Sequence, residues 1–367
     1  MATEPRALGS DVYLIDTAMS GYAGITAAYA ILGERPCLVE TGTATSAGVV
    51  RAGLASLGVG ASDLATIVVT HIHLDHAGGV GDLAAAFPGA RIVVQDAGAR
   101  HLADPSRLMA SARRVFGPAM DALFGELLPT PGERIDAIGD VGAVDLGGGR
   151  RLEAHHTPGH ARHHLGLVDS ATGDLYVGDA AGLYIPPDDA SELTGLGAGG
   201  AMGAMLPATP PPEFDLEVAI SSLGRFAELQ ASRLLFSHYG PITAVADALE
   251  RAEEELRLWV GLVAQAWRGR GGEGGGDANG NADGSEGGNE GGGGVAKARG
   301  SEFDLDHAVA MVRDRTRERY ADLLARPEVA AKFEALSSTA ANIAGITRWL
   351  AAEQDRATSL AEGGPVS

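Results

Sequence analysis

The chain has very little cysteine and lysine, and it has no long apolar segment. Its 367 residues include one cysteine, Cys37, which excludes an intrachain disulfide and a thiolate metal cluster. No apolar run approaches the ~20 residues that a membrane-spanning helix needs. The first ten residues contain no apolar core, unlike a signal peptide. These absences predict a cytoplasmic protein.

Positive charge is also scarce. The chain has 28 lysines and arginines against 48 aspartates and glutamates, giving a formal net charge of -20, and only Lys297 and Lys332 are lysines. Nucleic-acid binding depends on clustered positive charge that neutralises phosphates. An acidic protein is equally poorly suited to an anionic membrane surface. The composition therefore predicts neither nucleic acid nor membrane as a partner.

One short stretch contains the densest group of metal-ligating side chains. Leu64–Thr70 is a predicted strand, and Gly79–Phe87 is a predicted helix. Six consecutive positions of the loop between them contain three imidazoles and one carboxylate: His71, His73, Asp75 and His76. In an extended strand end, alternate side chains face the same side, so the first two can reach one cation. The last two lie in the turn and can reach a second cation.

Another candidate ligand lies after the predicted strand Leu152–Thr157. This strand runs into Pro158-Gly159-His160, where the turn directs His160 into the cleft at the strand end. His160 is therefore favoured as a third nitrogen for His71 and His73. Its imidazole neighbours are less favoured, and the last of them is expected to hydrogen-bond nearby: His155, His156, His163 and His164.

Two later strand ends complete the set. Asp179 ends the predicted strand Asp174–Gly178, where a carboxylate can bridge two cations by giving one oxygen to each. The alternative is a helix cap or a turn residue. His238 follows the predicted strand Leu234–Ser237 and completes the second site. This mixture of imidazole and carboxylate suits zinc, iron or manganese.

These motifs resemble those of the metallo-β-lactamase superfamily. HxHxDH at 71–76, TPGH at 157–160, GD at 178–179 and SHYGP at 237–241 occur in that family's order, and the resemblance spans residues 12–267. It implies an α/β fold, the αββα sandwich, with a C-terminal helical appendage here. It also implies three roles for the candidate residues: His71, His73 and His160 bind one metal, Asp75, His76 and His238 bind the second, and Asp179 bridges them.

The same resemblance implies a mechanism. Two divalent cations per chain, zinc or alternatively iron or manganese, would hold a water that attacks an acyl carbonyl. Asp75 and Asp179 are the expected catalytic carboxylates. Glu40 stands where the family often has aspartate. It is interpreted either as an acceptor that fixes a ligand imidazole or as a solvated strand-end carboxylate.

The plan of the motifs looks most like glyoxalase II, which implies a small-molecule acyl substrate and cleavage of a thioester, an ester or a lactone. One alternative is a mononuclear iron persulfide dioxygenase that uses two histidines and one aspartate of the same motifs. Another is an effector-binding module that keeps the metals without turnover.

Composition shifts divide the chain into five parts. We predict a flexible N-terminus at 1–10, the sandwich at 11–267, a Gly-rich acidic linker at 268–300, a helical segment at 301–357 and a disordered tail at 358–367. The helical segment has arginines at alternating positions that face solvent or bind a substrate carboxylate: Arg313, Arg315, Arg317 and Arg319.

A long loop is predicted between Asp179 and Phe214. Loops of this length are typical of an active-site lid or a dimer contact, so a homodimer is one alternative. Tyr184 in this loop is expected either to donate to a substrate oxyanion or to pack. Tyr239, beside His238, is a second candidate for contact with substrate.

Overall fold

Two β-sheets form the centre of the protein. The structure is a computed structural model that describes residues 4–269 and 303–362. The first sheet has seven strands in chain order: β1 (Arg6–Gly9), β2 (Val12–Asp16), β3 (Ala27–Ile31), β4 (Cys37–Val39), β5 (Thr66–Val68), β6 (Arg91–Gln95) and β7 (Ile135–Ile138). The first four strands are antiparallel, and β4 to β7 are parallel.

The remaining strands form the second sheet and a small hairpin. They are β8 (Val141–Gly147), β9 (Arg150–His156), β10 (Leu165–Asp169), β11 (Asp174–Gly178), β12 (Leu183–Ile185), β13 (Ala204–Leu206), β14 (Arg233–Phe236) and β15 (Gly240–Ile242). The second sheet has the order β15-β14-β11-β10-β9-β8 and one parallel pair, β11 with β14. Strands β12 and β13 pair only with each other.

Helices cover the outer face of each sheet. The first sheet is followed or interrupted by α1 (Ala47–Ser56), α2 (Leu74–Ala77), α3 (Val80–Ala86), α4 (Asp96–Ala103), α5 (Ser106–Phe116) and α6 (Met120–Leu123). The second part of the chain contains α7 (Leu216–Glu228), α8 (Val245–Gly269), α9 (Leu305–Thr316), α10 (Ala321–Leu324), α11 (Pro327–Leu336) and α12 (Thr339–Glu362). The predicted αββα sandwich with C-terminal helices is confirmed.

The central strands are apolar on both faces because both faces are covered. In β2, Val12 and Leu14 belong to the core between the sheets, whereas Ile15 packs under the helices of the first sheet. In β11, Tyr176 faces the other sheet, and Val177 faces the outer helices. Strands buried on both faces read as continuous apolar runs, which is why the sequence pattern identifies them.

The C-terminal helices share the core of the sandwich. Val312 of α9, Phe333 of α11 and Ile346 of α12 belong to the same buried cluster as Trp259 and Val263 of α8. This segment is thus packed onto the second sheet's outer layer. Among the helices of the described residues, none combines the length and the apolar character needed to cross a bilayer.

Two predictions at the chain ends are corrected. The flexible N-terminus is wrong for Arg6–Gly9, which forms β1, because Arg233 donates to the Leu8 carbonyl at 3.1 Å and thereby ties this edge to the second sheet. The disordered tail is wrong for 358–362, where α12 continues. Residues 268 and 269 belong to α8, and the rest of the predicted linker, 270–300, lies outside the described residues.

The predicted loop between Asp179 and Phe214 is also corrected, because it contains the β12–β13 hairpin. Each strand has three residues, too few for a periodic pattern, and the pairing of Tyr184 with Met205 forms only in the folded chain. Helix α7 is a further element that the sequence analysis missed. It begins after Asp215, whose carboxylate accepts from the Val218 amide at 3.2 Å.

Candidate metal centre

Seven side chains from four separate strand ends converge at one edge of the sandwich. They are the residues expected as ligands: His71, His73, Asp75, His76, His160, Asp179 and His238. Their ligand atoms form overlapping groups in which each lies within 4.8 Å of the others. The structure therefore brings together all seven predicted ligands. Their role in binding metal stays a prediction.

The first triad consists of three imidazoles. His71 Nε2 lies 3.0 Å from His73 Nδ1, and His160 Nε2 lies 2.9 Å from the same atom. Three nitrogens that share one zinc ion at its usual bond length are roughly 3.3 Å apart. The triad therefore has nearly the separation that a single cation requires.

The second triad contains two imidazoles and a carboxylate. His76 Nε2 and His238 Nε2 are 3.1 Å apart. Asp75 Oδ2 lies 3.3 Å from His238 Nε2 and 3.6 Å from His76 Nε2. Three ligand atoms of mixed nitrogen and oxygen character thus converge a second time.

Asp179 lies between the triads. Its Oδ1 is 3.2 Å from His76 Nε2 and 3.5 Å from His238 Nε2, whereas its Oδ2 is 3.5 Å from His160 Nε2. One carboxylate oxygen therefore faces each triad. Asp179 Oδ1 is buried, and although no hydrogen bond of good geometry reaches it from the described residues, the two imidazoles of the second triad lie beside it. A buried carboxylate is costly unless a positive charge compensates it, which a cation or a protonated imidazole can supply.

The electrostatics of the two triads differ. Burial, with help from neighbouring histidines, lowers the pKa of His73 to about 3 and the pKa of His71 well below its ordinary value. Burial also opposes protonation of His76, but Asp179, Asp75 and Glu40 together raise its pKa well above the ordinary value. Without metal, the first triad is thus neutral and ready to ligate, and the second holds protons in the place of a cation.

Outer hydrogen bonds fix the tautomers of the ligand imidazoles. His160 Nδ1 donates to the Ala208 carbonyl and His238 Nδ1 to the Ile25 carbonyl, each at 3.0 Å. Both rings therefore present an unprotonated Nε2 to the centre when they are neutral. These two acceptors could not be predicted from the sequence, because a main-chain carbonyl leaves no signal in the side-chain pattern.

Glu40 holds the first triad through a hydroxyl. Thr70 Oγ1 donates to Glu40 Oε1 at 2.5 Å and lies 3.0 Å from His71 Nδ1. Glu40 Oε1 also lies 3.5 Å from His76 Nδ1, and the residue has a φ of 67°. Such a backbone conformation costs about 1–3 kcal/mol outside glycine and persists where surrounding contacts impose it. The buried position rules out the solvated alternative.

His164 positions the carboxylate between the triads. Its Nε2 accepts from the Asp179 amide at 3.1 Å, and its Nδ1 lies 2.9 Å from Thr157 Oγ1. The ring reaches the strand end because residue 178 is glycine: a Cβ there would lie 2.4 Å from His164 Nε2. His164 therefore makes the nearby hydrogen bond that the sequence analysis expects and contacts the backbone of Asp179.

The two tyrosines do not present free hydroxyls to the centre. Tyr184 is fully buried, and its hydroxyl donates to the Gly195 carbonyl and accepts from the Gly203 amide. This placement corresponds to packing, one of the two roles expected for Tyr184, and not to donation to a substrate oxyanion. Tyr239 donates to Asp16, the last residue of β2, at 3.2 Å. The hydroxyls of both residues are thus engaged within the protein.

Three further histidines have hydrogen-bond partners outside the two triads. His163 Nδ1 accepts from the Ile72 amide at 3.4 Å, and His156 Nε2 lies 2.7 Å from the Arg162 carbonyl. His101 of α4 accepts from Arg100. Neither ring nitrogen of His155 has a hydrogen-bond partner among the described residues.

Comparisons with known proteins agree with the fold. The sequence profile described as the metallo-beta-lactamase superfamily matches residues 9–238. A metallo-beta-lactamase fold-containing protein of Sulfurisphaera tokodaii is 28% identical, over 54% of this chain and 71% of that protein.

Solved structures give the same result. The solved archaeal structure with the same designation as the relative above, ST1585 from Sulfolobus tokodaii, has a TM-score of 0.52 and 24% identity, over 69% of this chain and 87% of that one. A metallo-beta-lactamase family protein from Thermus thermophilus has a TM-score of 0.51 and 25% identity, over 71% and 87%. A subclass B3 metallo-beta-lactamase from a soil metagenome has a TM-score of 0.50 and 21% identity, over 73% and 98%. At 24% and 21% identity, the archaeal and metagenomic similarities show the fold alone.

Proposed function

Because the chain belongs to the metallo-beta-lactamase superfamily, we propose that it is a dinuclear metal-dependent hydrolase that cleaves a thioester, an ester or a lactone. The observation that carries this proposal is the position of Asp179, which directs one carboxylate oxygen to each triad. A carboxylate so placed suits two cations better than one. Each triad has three candidate ligands, which also supports two cations.

The donor set fits two divalent cations. We propose zinc, with iron or manganese as alternatives, because imidazole and carboxylate together suit all three. His71, His73 and His160 would hold one cation, and a second set would hold the other: Asp75, His76 and His238. When bound, such a pair polarises an acyl carbonyl and lowers the pKa of a water towards neutrality.

The protein's own residues would orient the reactants. Asp75 is the more exposed of the two catalytic candidates, with 16% of its side chain accessible against 8% for Asp179. This greater exposure supports the proposal that Asp75 accepts a proton from the attacking water and passes it to the leaving group. His164 and Glu40 would act indirectly by holding Asp179 and His71 in place.

We propose a small-molecule acyl substrate for this hydrolase. The short interval between Asp179 and His238 supports a glyoxalase II-like plan without an inserted nuclease domain. The similarity to the B3 enzyme concerns the fold and does not add a lactam to the substrate class.

The single, buried Cys37 supports a reducing cytoplasmic setting. A homodimer stays a prediction, to be tested by size-exclusion chromatography with light scattering.

The decisive experiment combines metal content with turnover. Full-length protein would be loaded separately with zinc, manganese and iron, its bound metal counted per chain, and hydrolysis measured on matched thioester, ester and lactone substrates. We expect two equivalents of metal and hydrolysis of at least one substrate. Two bound equivalents without any acyl turnover would contradict the hydrolase and favour an effector-binding module. One iron with oxygen uptake on a persulfide would favour the dioxygenase.

A further inference from the structure

A second cavity lies in the C-terminal helical segment, and it shares Leu206 with the small pocket that His160 and Asp179 line. It is a half-open cavity of about 250 Å³ between α8, α9 and the region from α10 to α12. Its apolar wall includes Leu206, Trp259, Val312, Tyr320, Leu323 and Ala330. None of the seven candidate metal ligands is among the described residues that line it.

The aromatic wall does not require a polar ligand. Trp259 Nε1 donates to the Tyr320 hydroxyl at 2.8 Å, and that hydroxyl donates to Glu255 Oε2 at 2.5 Å. The polar atoms of both rings are thus satisfied within the protein. What remains for a ligand is apolar ring surface beside aliphatic side chains, which suits a hydrocarbon or aromatic body.

The polar side of the cavity carries one unneutralised positive charge. Glu334 also lines the cavity, but it pairs with Arg313 at 2.9 Å and accepts from the Thr339 hydroxyl at 2.8 Å. The guanidinium of Arg317 has no hydrogen bond or ion pair with any residue that the structure describes. A guanidinium that has no ion pair and lies beside an apolar cavity favours an anionic group at that position.

From this combination we propose that the cavity binds a small organic anion with an apolar body, of the class of medium-chain or aromatic monocarboxylates. The carboxylate pairs with Arg317, and the body packs against Trp259 and Leu323. The volume lies below the roughly 300–1,000 Å³ of pockets for drug-sized ligands, which limits the ligand to a short chain or a single ring system. This site does not depend on metal binding or on the proposed hydrolysis.

The proposal is tested with decanoate as the anionic probe and 1-decanol as its neutral counterpart. Binding to the full-length protein would be followed by calorimetry and by intrinsic tryptophan fluorescence, to which Trp259 contributes, both with and without bound metal. We expect decanoate to bind about tenfold more tightly than 1-decanol, because one charge-assisted pair is available only to the acid. Its affinity should be the same in the metal-loaded and metal-free protein.

Two variants and one matched control separate the site from non-specific binding. Arg317→Ala should weaken decanoate about tenfold and leave 1-decanol unchanged. Arg315→Ala, an exposed arginine of α9 outside the cavity lining, should change neither. Ala330→Trp fills the cavity and should abolish binding of both probes.

Several results would overturn the proposal. Decanoate affinity that is equal in the wild type and in Arg317→Ala would do so, as would affinity that depends on bound metal. Absence of binding at millimolar decanoate would do the same. Because Arg317 is exposed, its variant tests the proposal even if Ala330→Trp does not fold. Loss of acyl turnover in the separate assay would leave this result untouched.

Discussion

The metal centre and the cavity of the C-terminal helices are two pockets built on opposite principles. The metal centre gathers seven ionisable side chains, held by outer hydrogen bonds at the ends of strands. The cavity has an apolar wall on one side and polar side chains on the other, among which Arg317 has no partner in the described residues. The first is therefore defined by the chemistry of particular residues, and the second by how helices pack. Substitutions in one region should leave the other largely intact.

The largest effect is expected from Asp179→Asn, which keeps the shape of the side chain and removes its charge. Loss of a partner behind a ligand costs 10–100-fold in metal affinity or activity, so loss of the bridging ligand itself should cost at least ~100-fold in turnover. The variant should also bind fewer metal equivalents. Metal analysis and steady-state kinetics provide the measurement.

Asp145→Asn is the matched control, because Asp145 is an exposed carboxylate of β8. It should retain both metal content and turnover. Full metal content in Asp179→Asn would contradict the bridging position.

The second prediction changes the C-terminal helices instead of the metal centre, by Phe333→Ala. Phe333 is 2% exposed and shares the core with α8. Truncating such a side chain should lower the free energy of unfolding by about 3–5 kcal/mol, measured by chemical denaturation. The folded variant should still bind the full complement of metal. Phe116→Ala, at a ring that is 40% exposed, should cost much less.

A smaller effect is expected when Asp179 is kept but loses its positioning partner. His164→Ala removes the acceptor of the Asp179 amide and should reduce metal affinity about 10–100-fold, measured by competition with a chelator. His164→Gln, whose side-chain oxygen can accept the same bond, should recover part of this loss. His155→Ala removes a nearby histidine without hydrogen-bond partners among the described residues and should have no effect.

The smallest effect concerns protons rather than ligands. In the metal-free protein, carboxylates outweigh the opposing effect of burial and raise the pKa of His76 and of His238, so both rings keep a proton to higher pH than a free imidazole does. Metal binding must displace any such proton, so it should release protons, and affinity should rise with pH. A pH indicator present during the metal titration measures whether protons are released, as predicted. Metal binding without proton release would show that the second triad is neutral.

The convergence of the candidate ligands could be predicted because they lie in compact motifs next to strand ends. His71, His73, Asp75 and His76 occupy six positions, and Asp179 and His238 each follow an apolar strand. The central strands were recognisable for the same local reason, since burial on both faces produces continuous apolar runs. By contrast, β1, β12 and β13 are held by partners distant in sequence, and their three or four residues give no periodic signal.

By itself, the sequence determined the superfamily fold, the set of candidate ligands and the absence of disulfide chemistry. Only the tertiary structure decided that Asp179 turns one oxygen to each triad, that Glu40 acts through Thr70, and that Arg317 borders an apolar cavity. The physical reason is the distance along the chain between the residues that determine each property. Strand burial and ligand type are properties of neighbouring residues, whereas the direction of a carboxylate or the space between helices depends on atoms brought together by folding.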